Sequence, residues 1–419
     1  MSASLLTLAW KSLANRGVSV ALTILSIVLA VMLFLGVEKI RTGVRASFDS
    51  TISDTDLIVG ARGGAINLLL YSVFRLGDPT ANIGWDSYQL IASAPDVDWA
   101  VPISLGDSHR GYRVVGTTQA YFDHYRYGRS QPLALSDGRI FDGTHEVVLG
   151  VEVARQLDYG LGGFIRLSHG IGDVSFAEHA GHDFEIVGIL APTGTPVDRS
   201  VHVSLESIEA IHVGWESGAP PSGQAAHETS DPGTLEPDSI TAVLVGVSSP
   251  IRVLGLQRQI NTYQGEALSA IMPGVALSQL WQVIGAGETA FKAISLLVVV
   301  VGMTGILTAL SAGLNERRRE MAVLRATGAR PRDIFALLIL EAASLAAAGA
   351  MIGILLAQIG FAVIARSVAT RYGLDLAGGP GVTEILVLGA VTLAGALLGA
   401  WPAWRAQRNA LADGLSIRL

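Results

Sequence analysis

The chain has 419 residues, of which 50% are hydrophobic and only 16% charged, with a mean hydropathy of +0.45, no cysteine and a net charge of −7. The absence of cysteine excludes a disulfide-stapled scaffold, and the acidic balance argues against nucleic acid as a partner. High apolar content with little charge places the chain among membrane proteins.

In chain order, residues 1–17 are expected to form a cytoplasmic amphipathic segment. Leu5, Leu8, Ala9 and Leu13 lie near one helical face and Lys11 on another. Two readings stay open for it: a helix along the inner membrane surface, or a plain extension of the first span. Residues 18–37 carry no charge over roughly the 20 residues that cross a bilayer. Gly36-Val37-Glu38-Lys39 follows in place of a small-residue cleavage site, so the segment reads as a retained anchor. Three further apolar runs, 289–314, 334–364 and 384–402, complete an expected set of four transmembrane helices, with a short outer loop at 365–383.

Charge orients these segments. Residues 38–287 hold 15 basic and 28 acidic residues, whereas the N-terminal segment, the loop at 315–333 and the tail at 403–419 are each net positive. The positive-inside rule therefore puts both termini and that loop in the cytoplasm and the large acidic segment outside.

The outer segment, 38–288, reads as an α+β domain with helical stalks and room for two subdomains. Glu38 to Asp49 and Leu277 to Glu288 have helical composition and would be the stalks. Strands are expected at Asp98–Ile103, Tyr112–Val115, Glu146–Leu149, Phe164–Ser168, Phe184–Leu190, Val201–Ser204 and Thr241–Val247. Helices are expected at Val151–Leu157, Glu206–His212 and Ile251–Thr262, and a Pro/Gly-rich loop at Gly214–Asp238. Ala65 to Phe74, AINLLLYSVF, is too short to span; it is expected to pack in the domain core, with a face toward hydrophobic cargo as the alternative.

Catalytic motifs are missing. A phosphate-cradling loop needs Gly-Lys-Ser/Thr, but Lys11, Lys39 and Lys292 follow Trp, Glu and Phe. Gly106-Asp107-Ser108-His109 reads as an exposed turn, since neighbours in sequence do not make a triad. All nine histidines lie in the outer domain. His169, His179 and His182, with Asp173, Glu178 and Asp183 nearby, are the candidate metal ligands, zinc being the ion such a donor set would suit. Their spacing matches no tight structural site, so a solvated polar loop is the competing reading.

Asn315 to Leu340 is the most distinctive stretch, with Arg317, Arg318, Arg319, Arg325, Arg330 and Arg332 between two apolar runs. A short helix is expected at Glu316–Thr327, stopped by Gly328, with Pro331 opening the next helix. A topology anchor and a docking face are both consistent with this pattern. Gly349/Gly353 and Gly395/Gly399 form G-x-x-x-G pairs suited to close helix packing or dimerisation.

Glu316 to Ala329 resembles the cytoplasmic signature of FtsX/MacB/LolC-type ABC transporter permeases. Pro402-Ala403-Trp404-Arg405-Ala406-Gln407-Arg408 is similar to that family's C-terminal motif. Glu146-Val147-Val148-Leu149-Gly150 and Phe184 to Leu190 are similar to parts of a MacB-like periplasmic core. The resemblance implies a non-catalytic permease in a bacterial inner membrane, partnered by a cytoplasmic ATPase that binds the ATP and magnesium. It also implies a second permease copy, identical or not, and a lipoprotein, peptide or hydrophobic substrate, with a periplasmic adaptor as a further possible partner. On it, Glu316, Arg319, Glu320, Arg325 and Gly328 are the coupling residues.

Overall fold

A computed structural model of the chain describes residues 17–169, 178–212, 236–326, 328–372 and 381–409. It divides into an α+β unit, residues 44–284 with 368–375, and a helical unit built from the rest. The expected loop at Gly214–Asp238 lies largely outside the described residues.

The described residues of the α+β unit contain fourteen strands: β1 Leu57–Ala61, β2 Ile83–Gly84, β3 Val97–His109, β4 Tyr112–Thr117, β5 Arg126–Tyr127, β6 Gln131–Pro132, β7 Leu135–Gly138, β8 Glu146–Leu149, β9 Phe164–His169, β10 Glu178–Leu190, β11 Ser200–Ser204, β12 Ser239–Ile240, β13 Ala242–Val247 and β14 Leu268–Ile271. Ten of them form one mixed sheet in the order β14-β1-β13-β3-β4-β11-β8-β10-β7, with β9 pairing β10 and β3. All seven expected strands are present. β1 and β14 were not expected, and β3 and β10 are each 13 residues long, well beyond the expected runs.

Alternation along the strands builds a core on each face. Leu57 and Val59 of β1 join Val243 and Val245 of β13 against Leu256 and Ile260 on one side. Ile58 and Leu244 join Leu68, Leu69 and Tyr121 on the other. A third cluster gathers Val147, Leu149, Phe184, Ile186, Val201 and Val203. The β14 edge is closed by side chains: Ala270 N–H donates to Asn261 Oδ1 at 2.7 Å, and Gln257 Nε2 donates to Ala270 O at 3.0 Å. Blocking an edge in this way removes a template for strand addition.

Two expectations for this unit are resolved. Ala65–Ser72 is a helix whose Leu68, Leu69 and Tyr71 are buried, so the stretch is core. Gly106–His109 is not an exposed turn: Asp107, Ser108 and His109 are buried within β3, because that strand runs on through them to pair with β4 and β9.

Among the described residues the helical unit uses four long helices, Gly17–Asp49, Pro273–Ala326, Pro331–Tyr372 and Val382–Asn409, the first three of which run on into the α+β unit. Among the described residues three stretches, Val20–Asp49, Pro331–Ala365 and Val382–Trp401, are long and apolar enough to cross a membrane. A fourth is reached only if Pro273–Gly285 and Thr289–Gly305, bent by 40° at their junction, make one span. Both glycine pairs pack within the chain. A Cβ on Gly349 would lie 2.8 Å from Ile27 Cβ, and one on Gly353 would lie 3.0 Å from Val31 Cβ. On Gly395 and Gly399 it would meet Ala346 and Ala342 at 2.4 and 2.5 Å. Apolar matter surrounds such helices on every side, so close backbone approach, rather than the hydrophobic effect, fixes their pairing.

Candidate functional site

The arginine segment is not a separate short helix. Residues up to Ala326 complete the 54-residue helix that begins at Pro273, because nothing between the apolar run and Gly328 breaks the helical backbone. Gly328 then adopts φ +98°, and its N–H donates to Arg325 O at 3.0 Å. A Cβ at Gly328 would meet open space, so it is the left-handed backbone that requires glycine there. The next helix opens with Pro331 at its first position. Asp333 Oδ2 accepts the Arg330 N–H at 2.8 Å, a cap from the third residue of the helix. Glu316, Arg319 and Glu320 are in helical backbone, their side chains outside the described residues. Arg325 is half-buried, and Gly328, Arg330 and Arg332 are exposed. The segment thus holds two helix ends at a fixed turn.

His169 lies in β9 and His179 in β10, their side chains outside the described residues. His182 is described, and its ring faces His145, a residue outside the expected set. His145 Nε2 and His182 Nδ1 are 3.0 Å apart, with ring planes 12° apart and centroids separated by 5.4 Å. At that separation the two nitrogens point at each other along one line, as in an N–H···N hydrogen bond. A shared metal ion needs lone pairs that converge at about 2.0–2.1 Å from it. Among the described residues no group of three or more His, Asp or Glu side chains could hold a metal.

Three other histidines, His109, His202 and His212, pack within the α+β unit. His109 Nδ1 lies 2.6 Å from Arg166 O and Nε2 lies 3.0 Å from Tyr159 Oη, so one imidazole ties β3 to β9. His212 Nε2 lies 3.6 Å from the buried carboxylate of Asp107. Burial is the largest influence and opposes the His212 imidazolium, but Asp107, the Ile208 backbone and Glu209 together outweigh it and raise the pKa. His202 in β11 is fully buried between Tyr121 and Phe122, at 5.5 and 5.8 Å, with neither ring nitrogen hydrogen-bonded within the protein. Burial first, and then the Arg75 charge, push its pKa down to about 3.

Where the chain enters and leaves the α+β unit, Phe48 stacks on Phe74 at 4.3 Å and meets Trp281 edge-on at 5.7 Å. Trp281 Nε1 donates to Asp49 at 3.3 Å, and the Arg45 guanidinium lies 5.6 Å from the Trp281 ring. Arg45, Asp49 and Trp281 border an open cleft of about 470 Å³ that also takes in Ile52, Leu277 and Gln282. Tyr125 Oη donates to Thr51 O at 2.7 Å, fixing the residues just beyond the first helix to the core. No cue in sequence marks Phe48 as the centre of this joint, since its partners are 26 and 233 positions away.

A mixed-sheet α+β domain that follows a first apolar helix and precedes further apolar helices is the layout of a membrane permease component. The chain belongs to the FtsX/MacB family of ABC transporter permeases: its residues 20–263 match the MacB-like periplasmic core domain and residues 292–410 the FtsX-like permease C-terminal domain. Among curated relatives, the macrolide export ATP-binding/permease protein MacB of Azoarcus sp. (strain BH72) is 26% identical over 93% of this chain and 55% of its own length. The MacB of Bdellovibrio bacteriovorus is 24% identical over 95% of this chain and 59% of its own. The chain therefore spans little more than half of these relatives. The periplasmic region of MacB from Actinobacillus actinomycetemcomitans superposes with a TM-score of 0.35 at 11% identity, covering 55% of this chain and 94% of that structure.

Proposed function

We propose that the chain is the membrane subunit of an ABC transporter whose ATPase is a separate polypeptide, and that it converts ATP hydrolysis into movement of its α+β domain. The observation that carries this reading is the pair of family matches on one chain, a MacB-like periplasmic core domain followed by an FtsX-like permease C-terminal domain. The relatives named ATP-binding/permease proteins are longer, and this chain matches little more than half of each. On this reading Glu316, Arg319, Glu320, Arg325 and Gly328 form the face that meets the ATPase, which binds ATP and magnesium. The chain sits in a bacterial inner membrane with four spans, both termini and the arginine segment cytoplasmic, the α+β domain periplasmic and a second permease copy alongside. The cargo class is a lipoprotein, peptide or hydrophobic compound that the periplasmic domains move or release.

The test is co-purification with the candidate ATPase and measurement of complex-stimulated ATP turnover for the wild type and Glu320→Arg. The reading expects stimulation by the wild type and its loss in the variant. Undiminished stimulation by Glu320→Arg removes the interface assignment, and no complex with the wild type removes the reading itself.

A further inference from the structure

The helical unit holds a polar assembly remote in sequence from the arginine segment and unused by the function above. Lys39 lies on the first long helix, Gln358 on the helix Pro331–Tyr372, and Glu384 in the first turn of Val382–Asn409. Lys39 Nζ donates to Gln358 Oε1 at 3.1 Å, and Gln358 Nε2 donates to Glu384 Oε1 at 2.9 Å. The other Glu384 oxygen accepts the Gly381 N–H at 2.7 Å, which caps the last helix. Lys39 Nζ also lies 5.1 Å from the centre of the Phe361 ring, one turn along from Gln358.

The chemistry of the middle residue makes the order meaningful. A carboxamide accepts and donates at once, so Gln358 joins a cation on one helix to a carboxylate on another. Around it the three helices pack through small residues, Gly349 on Ile27, Gly353 on Val31, Gly395 on Ala346 and Gly399 on Ala342, and through an apolar cluster that includes Leu35, Ile354 and Leu388. Such contacts let helices approach but impose little direction on rotation or sliding. Charge-assisted hydrogen bonds are directional, so they fix the relative rotation of the helices that carry them.

We propose that Lys39, Gln358 and Glu384 are positioning residues of the transport cycle: a polar clasp that makes the first span move together with the two helices that follow the arginine segment. The proposal rests on the ATP-coupled reading, so its test has one arm that does not involve the ATPase. The sequence has three lysines, Lys11, Lys39 and Lys292. The full chain carrying 13C-labelled lysine, in lipid nanodiscs, gives a small set of side-chain signals, with Lys39 assigned through Lys39→Arg. The clasp requires the Lys39 signal to move in Gln358→Leu and in Glu384→Gln while Lys11 and Lys292 stay in place. A Lys39 signal unaffected by both substitutions overturns it.

The second arm uses the nanodisc complex with its ATPase and reads the difference in hydrogen exchange between ATP and ADP at residues 41–49. Gln358→Leu is expected to shrink that difference about tenfold while complex formation and basal ATP hydrolysis persist. Lys39→Glu and Glu384→Lys should each do the same, and the two together, which restore an opposite-charge pair, should recover most of it. A full difference in Gln358→Leu, or no recovery in the charge swap, refutes the positioning role. No difference in the wild type instead refutes the ATP-coupled reading, with the lysine spectra still deciding whether the clasp forms.

Discussion

His202 shows how strand periodicity can force a polar side chain into a core. Val201 and Val203 face one hydrophobic cluster, so residue 202 must face the other, where Tyr121 and Phe122 enclose it. With its pKa held at about 3, the ring is neutral in the fold, whereas in the unfolded chain it protonates near 6.5. The unfolded state then binds the proton that the folded state refuses. This site's contribution is full above pH 6.5 and is lost as the pH falls toward 3, by on the order of 4–5 kcal/mol at most. His202→Leu removes the titration and two unpartnered nitrogens together. It should leave stability at neutral pH within about 1 kcal/mol of wild type or above it, and flatten the acid limb. Urea unfolding between pH 7 and 4, followed by tryptophan fluorescence, checks this; an unchanged acid slope in the variant rejects it. Gly328 makes a second residue-scale case. Its φ of +98° predicts that Gly328→Ala costs about 1–3 kcal/mol locally, read as faster hydrogen exchange across residues 325–333. Equal exchange in the two proteins contradicts that assignment.

The elements that sequence made plain are those whose signal is local. Glu146–Leu149 matches its expected bounds because Gly150 ends the strand and a helix begins at once. Gly328 and Pro331 punctuate the arginine segment as their backbone preferences require. Where contacts are distant, the local signal fails. Leu57–Ala61 and Leu268–Ile271 are short apolar runs whose strand state comes from pairing with each other across more than 200 residues. Asp107 to His109 look like a turn until β4 and β9 are there to bond them. His145 was invisible as the partner of His182 because 37 residues separate them. The glycine pairs were legible as packing motifs but not as intrachain ones, since a G-x-x-x-G pattern carries no label for its partner. The structure supplies that partner, and the pairing is testable. Gly395→Ala would set two Cβ atoms 2.4 Å apart and should cost about 1–3 kcal/mol, seen as a lower melting temperature in detergent. Adding Ala346→Gly should restore most of the loss, and a double variant no more stable than the single one would show that the contact does not limit stability.

At the scale of the molecule, coupling to ATP depends on which side of the bilayer each segment occupies. Charge alone separates an acidic segment of 28 carboxylates from basic segments at the termini and at 315–333, and this polarity predicts one orientation in the bilayer. The natural chain is free of cysteine, so a single introduced thiol reports its own compartment without background. Ser93 is exposed on the α+β unit, and Arg332 is exposed at the start of the helix after the arginine segment. In intact spheroplasts a membrane-impermeant maleimide should label Ser93→Cys and spare Arg332→Cys, with both labelled once the membrane is opened. The reverse pattern would invert the chain and place the arginine segment beyond reach of any cytoplasmic ATPase. Labelling of both sites before permeabilisation would put the two on one side, which requires an even number of crossings between them. That outcome would count against Pro273–Gly305 as a single span, because residue 93 precedes that helix and residue 332 follows it. One labelling experiment therefore tests the orientation that coupling to ATP demands and the role of the bent helix on which the fourth span depends.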